Sequence, residues 1–320
     1  MLNRTTSDAS SIRPATVVRQ SDRAGLLSGP VPILIAAVLW GTTGTAGSLA
    51  PAGAPAAAIG CAGLAVGGLL LFLTSRGARS LPGACTPSER RLLGLGAVAV
   101  AGYPVTFYPA VARTGVAVAT VIALGSAPVF AGLLSWLAGE GRPTTRWTAA
   151  TAAAVLGCTL LVLGPELAGG AGSVDLTGAA LAAGAGLSYA AYSLIGGRLI
   201  GRGGHSSDAV MGVLFGVAAL LVLPLVLFTG PHWLATTHGA AVALYLALCT
   251  VFLAYRLFGR GLRHTAVSVA TTLTLAEPAV AAVLGVTVVG ERLPAVSWGG
   301  LAVLALGLAL LTAPVGGGRR

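Results

Sequence analysis

Ten stretches of about 20 mostly apolar residues follow one another along the chain, and they constrain its fold more than any other feature. They run approximately over residues 31–50, 56–75, 93–112, 116–138, 147–164, 176–197, 209–229, 239–259, 266–289 and 295–313. Each matches the length that an α-helix needs to cross a hydrocarbon layer about 30 Å thick. A soluble domain carries about 25% charged residues. This chain carries 9%, at 55% hydrophobic residues and a mean hydropathy of +0.88. So few charges cannot cover a water-facing surface, which excludes an ordinary soluble enzyme, a disordered chain and a small disulfide scaffold. The expected fold class is an all-α integral membrane protein of ten transmembrane helices.

The formal net charge of +10 raises the question of nucleic acid. Basic nucleic-acid binders gather Lys and Arg on one face, often with stacking aromatics. Here all 19 basic residues are Arg, and nearly all fall between the apolar stretches. Their expected role is to orient the spans, and no nucleic-acid partner is expected. With the N-terminus inside, the cytoplasmic segments receive 17 Arg and the outer ones receive only Arg113 and Arg292. That asymmetry follows the positive-inside rule and places both termini in the cytoplasm. The first 29 residues hold Arg4, Arg13, Arg19 and Arg23 among Ser and Thr. They lack the short apolar core of a signal peptide and read as a disordered cytoplasmic tail, with a second short tail over 314–320. The all-Arg, Gly- and Ala-rich composition fits a GC-rich bacterial genome, so a bacterial inner membrane is the expected location.

Cysteine and histidine contribute little to the reading. Cys61, Cys85, Cys158 and Cys249 include no C-x-x-C pair, and His205, His232, His238 and His264 are scattered. Neither a metal site nor a disulfide framework is indicated, and no cofactor is expected.

Self-comparison reveals an internal repeat. At an offset of 150 residues Arg113 meets Arg263, Pro128 meets Pro278, Ala131 meets Ala281, Leu134 meets Leu284 and Arg142 meets Arg292. One extra residue aligns Glu140 with Glu291 and Trp147 with Trp298, and Gly157 falls on Gly307. Residues 30–165 and 176–313 therefore form two five-helix repeats. Five is odd, so the two enter the bilayer in opposite senses, as in transporters that hold substrate near the midplane between inverted repeats.

These features resemble the EamA branch of the drug/metabolite transporter superfamily. The resemblance rests on the ten-span inverted repeat, on Trp40–Gly41 in the first span, and on Glu277–Pro278 followed by Gly285, Gly290 and Glu291 in the ninth. It covers about residues 30–313. It implies a secondary carrier, often an exporter of amino acids, drug-like compounds or other small metabolites, that works without ATP. The lipid bilayer and a small-molecule substrate are the expected partners, and protons are the candidate coupling ion. One departure stands out, since the first repeat has Ala127 where the second has Glu277.

Depth within the spans, at 1.5 Å per residue, selects candidate substrate-binding residues. Trp40, Tyr103, Ser126, Tyr189 and Glu277 lie near the centres of their spans, and Thr42, Thr43, Tyr192, Thr271 and Thr274 lie within about two turns of that level. Glu277 is the one acid well inside a span, where a charge costs roughly 2.5–3.5 kcal/mol on insertion scales. Pro278 is expected to leave the Thr274 carbonyl without its helical partner, so that carbonyl and carboxyl form an acceptor-rich patch. Pro104, Pro128 and Pro278 are candidate helix breaks, with Gly132 and Gly285 as close-packing positions for gating. Arg256 is expected to extend toward the headgroups.

Other function classes lack their signatures. An intramembrane hydrolase needs H-E-x-x-H, paired Asp residues, or a nucleophile with a base, and no span holds an Asp or His away from its ends. A channel draws selectivity from rings of charges or carbonyls, and no such ring can be built from one acid. A sensor lacks a soluble domain to signal through, and a primary pump lacks a Walker loop. The orientation is directly measurable. A single cysteine at Gly170→Cys in a cysteine-free background should be labelled from outside in intact cells. Labelling only after permeabilisation would reverse the assignment.

Overall fold

The computed structural model describes residues 29–51, 53–169, 175–228, 231–290 and 292–313. The two tails and Glu291 therefore lie outside the described residues. Among the described residues the secondary structure is helical throughout. Nine helices among the described residues are long and apolar enough to cross a membrane, and one of them, Pro87–Leu137, runs for 51 residues. At 1.5 Å per residue it would extend about 76 Å, far beyond a bilayer core. Gly115 divides it, with φ 81° and ψ 161°, a conformation that essentially only glycine adopts.

Ten crossings result. They are α1 (Pro30–Gly47), α2 (Ala56–Thr74), α3 (87–114), α4 (116–137), α5 (Thr145–Gly169), α6 (Leu176–Gly201), α7 (Ser207–Phe228), α8 (Thr237–Leu262), α9 (Val267–Val288) and α10 (Ala295–Thr312). The neighbours of α6 show the reversal at Gly115. A Cβ on Gly178 would meet Arg113 and Thr114, and one on Gly184 would face Thr106, so α3 runs antiparallel to α6. A Cβ on Gly186 would meet Ala123, Ser126 and Ala127, so α4 runs parallel to it.

Local chemistry starts these helices where the sequence permits. Thr86 and Glu89 form a reciprocal capping box ahead of Pro87, satisfying donors that a helix start leaves free. Asp175 accepts from the Gly178 N–H at 2.9 Å to cap α6, and that N–H is the first cause holding its carboxyl below the ordinary range. Thr236 caps α8 through the Gly239 N–H at 3.0 Å.

Between helices in lipid the hydrophobic effect gives little drive, and close backbone approach supplies the packing. The clearest case joins α5 to α10. A Cβ on Gly157 would lie 2.3 Å from the Leu304 nitrogen and 2.7 Å from the Gly300 oxygen. A Cβ on Gly307 would lie 2.8 Å from the Ala154 nitrogen and 2.9 Å from the Ala150 oxygen. Adding the repeat offset of 150 to Gly157, Ala154 and Ala150 gives Gly307, Leu304 and Gly300. Each contact on one side thus has its mirror on the other, as a two-fold axis between the repeats requires. The pairing of α2 with α7, and the exchange of α1 against α8 and α9 for α6 against α3 and α4, follow the same axis.

Gly29 and the loop at His264 and Thr265 lie together, and Arg146 at the start of α5 reaches the end of α10. Both described ends therefore share one face, here the terminal face. The loop residues 48–51, 53–55 and 113–116 lie on the far face.

Candidate functional site

A cavity of about 230 Å³ lies between the repeats. Its wall includes Trp40 and Thr43 of α1, Gly60 and Leu64 of α2, Tyr103, Pro104, Phe107 and Tyr108 of α3, and Thr120 and Leu124 of α4. From the second repeat come Tyr189 and Tyr192 of α6, Phe215 of α7, Leu246, Thr250 and Tyr255 of α8, and Glu277 of α9. Apart from the residues near mid-helix, these belong to the halves of their helices nearest the far face. The cavity thus runs from the midplane toward that face.

The ninth crossing builds the polar end. It consists of two helical pieces, Val267–Leu273 and Ala276–Leu284, with Thr274 and Leu275 between them. Pro278 cannot donate to the Thr274 carbonyl. That carbonyl is nevertheless satisfied, because the Glu277 N–H donates to it at 3.0 Å in a tighter turn. The expected free acceptor at Thr274 is therefore corrected. The Leu275 N–H turns likewise to the Thr272 carbonyl at 3.1 Å, and the Thr274 hydroxyl donates to the Thr271 carbonyl at 2.8 Å. The break is closed by shorter local bonds and one hydroxyl.

Glu277 stands in the first turn of the second piece. The N-terminal end of a helix carries partial positive charge that favours an acid there. Among the described residues no cation pairs with its carboxyl, and its electrostatic neighbours include Tyr103, Tyr189, Tyr255 and Cys158. Gly41 holds α1 against this turn. A Cβ there would lie 2.8 Å from the Glu277 carbonyl oxygen and 2.6 Å from the Val280 Cβ. In the Trp40–Gly41 pair, then, the glycine admits the backbone of α9.

Trp40 closes the cavity floor. Its Nε1–H donates to the Thr250 carbonyl at 2.8 Å, in the π-helical stretch Leu246–Leu253 of α8. Such a stretch alters the regular carbonyl pairing and here exposes an acceptor to α1. Around the indole stand Tyr255 at 4.9 Å, Phe258 at 5.5 Å and Tyr189 at 6.4 Å between ring centroids. Tyr192 and Tyr255 share a hydroxyl hydrogen bond of 3.0 Å, and Tyr189 donates to Thr274 Oγ1 at 2.9 Å.

Beneath this floor, polar links join the repeats on the terminal face. Arg198 of α6 donates to Glu140 at 3.0 Å and to the Ala138 carbonyl at 2.9 Å. Arg146 donates to the carbonyls of Leu310, Leu311 and Ala313, which end α10. A cation at a helix C-terminus is favourable. On the far face Arg113 and Asp175 stand 3.5 Å apart with half-exposed side chains, a pair worth little. The terminal face is closed and braced.

Of the residues expected at the site, Trp40, Thr43, Tyr103, Tyr189, Tyr192 and Glu277 line the cavity. Thr42 lies outside its wall. It bonds the Leu39 carbonyl and Tyr245, and it borders a second cavity of about 430 Å³ with Thr45, Leu49, His238 and Leu284. Ser126 and Thr271 also lie off the wall and bond carbonyls of their own helices. Thr274 lies off the wall, where its hydroxyl accepts from Tyr189 at 2.9 Å. Pro104 lines the cavity, whereas Pro128 and Pro278 are buried in packing. Gly132 makes room for the Trp147 ring, 2.5 Å from where a Cβ would stand. Gly285 is buried where α9 passes into its final π turn. Arg256 does not extend to the headgroups but pairs with Asp208 at 3.0 Å and lies over the Phe252 ring. Phe107, Tyr108, Phe215, Thr250 and Tyr255 also line the cavity; they lie within two turns of their span centres, but depth alone does not report which side chains face inward. The aromatic content of α8 was the available signal.

The Gly41 contact carries a prediction. Gly41→Val should lower the melting temperature in detergent, an overpacking cost of about 1–3 kcal/mol. Gly47→Val, on the same helix with nothing within 4 Å of its Cβ position, should change it far less. Equal effects would show that the approach to Glu277 is not tightly packed.

The EamA-like transporter family model matches residues 27–163 and 176–313. An uncharacterized transporter of Bacillus subtilis, YwfM, is 39% identical over 281 residues, which is 88% of this chain and 92% of that protein. The threonine/homoserine exporter RhtA of Salmonella typhimurium is 36% identical over 168 residues, 51% of each chain. This chain thus aligns with about half of that exporter's length. A solved crystal structure shares the fold with a TM-score of 0.69 at 19% identity, covering 88% of this chain and 96% of its own. With a family match in both repeats and a relative aligned over most of its length, this multi-pass membrane protein belongs to the EamA-like transporter family.

Proposed function

We propose that the protein is a secondary exporter of small, amine-bearing metabolites such as amino acids, working by alternating access between its two repeats. One observation carries this reading. An acid with no cationic partner among the described residues stands in the wall of a central cavity, at the break of a discontinuous helix. Burying a lone acid in the bilayer is costly, and a substrate ammonium group supplies the missing counter-charge. The tyrosines and Thr250 add hydrogen-bonding groups around a mostly apolar wall, the usual make-up of a small-molecule site. Drug-sized ligands occupy pockets of about 300–1,000 Å³, so a cavity of about 230 Å³ favours a small metabolite. The part-length likeness to a threonine/homoserine exporter supports the same class.

In this reading the terminal face is cytoplasmic and the cavity faces outward. The aromatic floor around Trp40 and the Arg198–Glu140 link separate it from the cytoplasm. Transport requires these contacts to part while the far-face halves of α1, α3, α6 and α8 close. A permanently open channel is disfavoured by that floor. The chemistry is binding and release, without catalysis, and a proton exchanged at Glu277 is the candidate coupling step.

The test is counterflow of radiolabelled threonine, homoserine and other small amino acids in reconstituted vesicles, with and without an imposed proton gradient. At least one amino acid should accumulate against unlabelled solute trapped inside. Counterflow of neutral or anionic metabolites, with none for any amine-bearing solute, would overturn the assignment.

A further inference from the structure

Away from the central cavity, three metal-ligating side chains converge on the terminal face. Cys85 precedes α3, Glu89 stands in its first turn, and His205 lies in the loop between α6 and α7. Their ligand atoms all lie within 4.8 Å of one another. His205 Nε2 is 3.7 Å from Cys85 Sγ and 3.3 Å from Glu89 Oε1. One imidazole nitrogen carries either one proton or one lone pair, so it cannot bond both neighbours well at once. A cation between the three would engage all of them.

The spacing fits a particular ion class. Tetrahedral Zn²⁺ with bonds of about 2.3 Å to sulfur and about 2.0–2.2 Å to nitrogen or oxygen sets ligand separations of roughly 3.3–3.6 Å. The two separations from His205, 3.3 and 3.7 Å, are close to these, and the third lies within 4.8 Å, so a small inward shift of Cys85 or Glu89 completes the set. The surroundings orient the donors. Glu89 Oε2 accepts from the Thr86 N–H and hydroxyl, each at 2.8 Å, which leaves Oε1 for the cluster. Outer bonds of this kind fix ligand orientation in metal sites. Gly203 keeps the space clear, since a Cβ there would lie 2.9 Å from His205 Cδ2 and 3.0 Å from Glu89 Oε1. Cys85 is buried, whereas His205 and Glu89 keep side-chain exposures of 16% and 22%. The cluster therefore has an open side through which an ion and a water ligand can enter.

We propose that Cys85, Glu89 and His205 form a three-ligand site for a thiophilic divalent cation of the Zn²⁺ class. Cys85 and Glu89 belong to the first repeat and His205 to the second, so a bound ion clasps the two repeats at the braced face. The two-residue spacing that announces most zinc sites in sequence is absent, because the third ligand lies 116 residues from the second in the chain.

The test uses the full chain in detergent, with Cys61, Cys158 and Cys249 replaced by Ala, and Co²⁺ as the spectroscopic probe. Thiolate ligation should give an intense near-ultraviolet charge-transfer band together with visible bands of tetrahedral Co²⁺, both abolished by Zn²⁺. Cys85→Ser should remove the charge-transfer band. His205→Ala and Glu89→Gln should each weaken Co²⁺ binding at least about tenfold, whereas His264→Ala should leave it unchanged. A second measurement needs no ligand variant, because Zn²⁺ should slow maleimide alkylation of Cys85 in the same protein. Absence of the band at saturating Co²⁺, unchanged affinity in His205→Ala, or alkylation indifferent to Zn²⁺ would each overturn the site.

Discussion

Backbone groups in a bilayer must find their partners inside the protein, and this governs where the chain can depart from a helix. The departure that matters lies at Thr274 and Leu275. There Pro278 removes one donor, the Glu277 N–H takes over its acceptor, and the Thr274 hydroxyl covers the Thr271 carbonyl. Such a break survives only because Gly41 lets α1 pack directly against it and Tyr189 bonds the same hydroxyl. Breaking the helix at that point starts a new helical turn at Glu277. The acid of the central cavity and the irregular backbone beneath it are thus one construction.

The two repeats are related by a pseudo-two-fold axis that the helix contacts make visible. The reciprocal contacts of Gly157 and Gly307 make the α5–α10 seam nearly identical when the repeats are exchanged. Around these close backbone approaches, Val155, Leu161, Leu301 and Leu304 pack across the same seam. The two faces differ in their outer links. The terminal face has the Arg198–Glu140 and Arg146 connections, whereas the far face has the exposed Arg113–Asp175 pair. The terminal face is thus the more strongly linked of the two. The proposed cation site adds a ligand-dependent brace on that same face.

Much of the architecture is legible in the sequence. Apolar runs, loop arginines and the 150-residue offset report length, charge and repetition directly, and each corresponds to a coarse physical requirement of a membrane bundle. Glu277 is equally visible, because an acid inside a span is costly. Features that depend on side-chain partners across the bundle are not. Ser126, Thr42 and Thr271 have suitable depth but face their own helices or a second cavity, since depth says nothing about azimuth. The Arg256–Asp208 pair escapes because Asp208 sits at a span boundary, where it reads as solvated. The Thr274 carbonyl misleads for another reason: a proline predicts a missing donor, but a neighbouring N–H one residue earlier can replace it by tightening the turn.

The central claim is that the Glu277 carboxyl anchors the transported solute or exchanges its coupling proton. Replacing it by Gln keeps size and hydrogen bonding while removing charge and titration. The direct measurement is the pH profile of counterflow for wild type and Glu277→Gln at matched amounts of inserted protein. The account predicts normal insertion in the variant, with counterflow lost or its pH dependence flattened. A Gln variant that transports at the wild-type rate with an unchanged pH profile would contradict it.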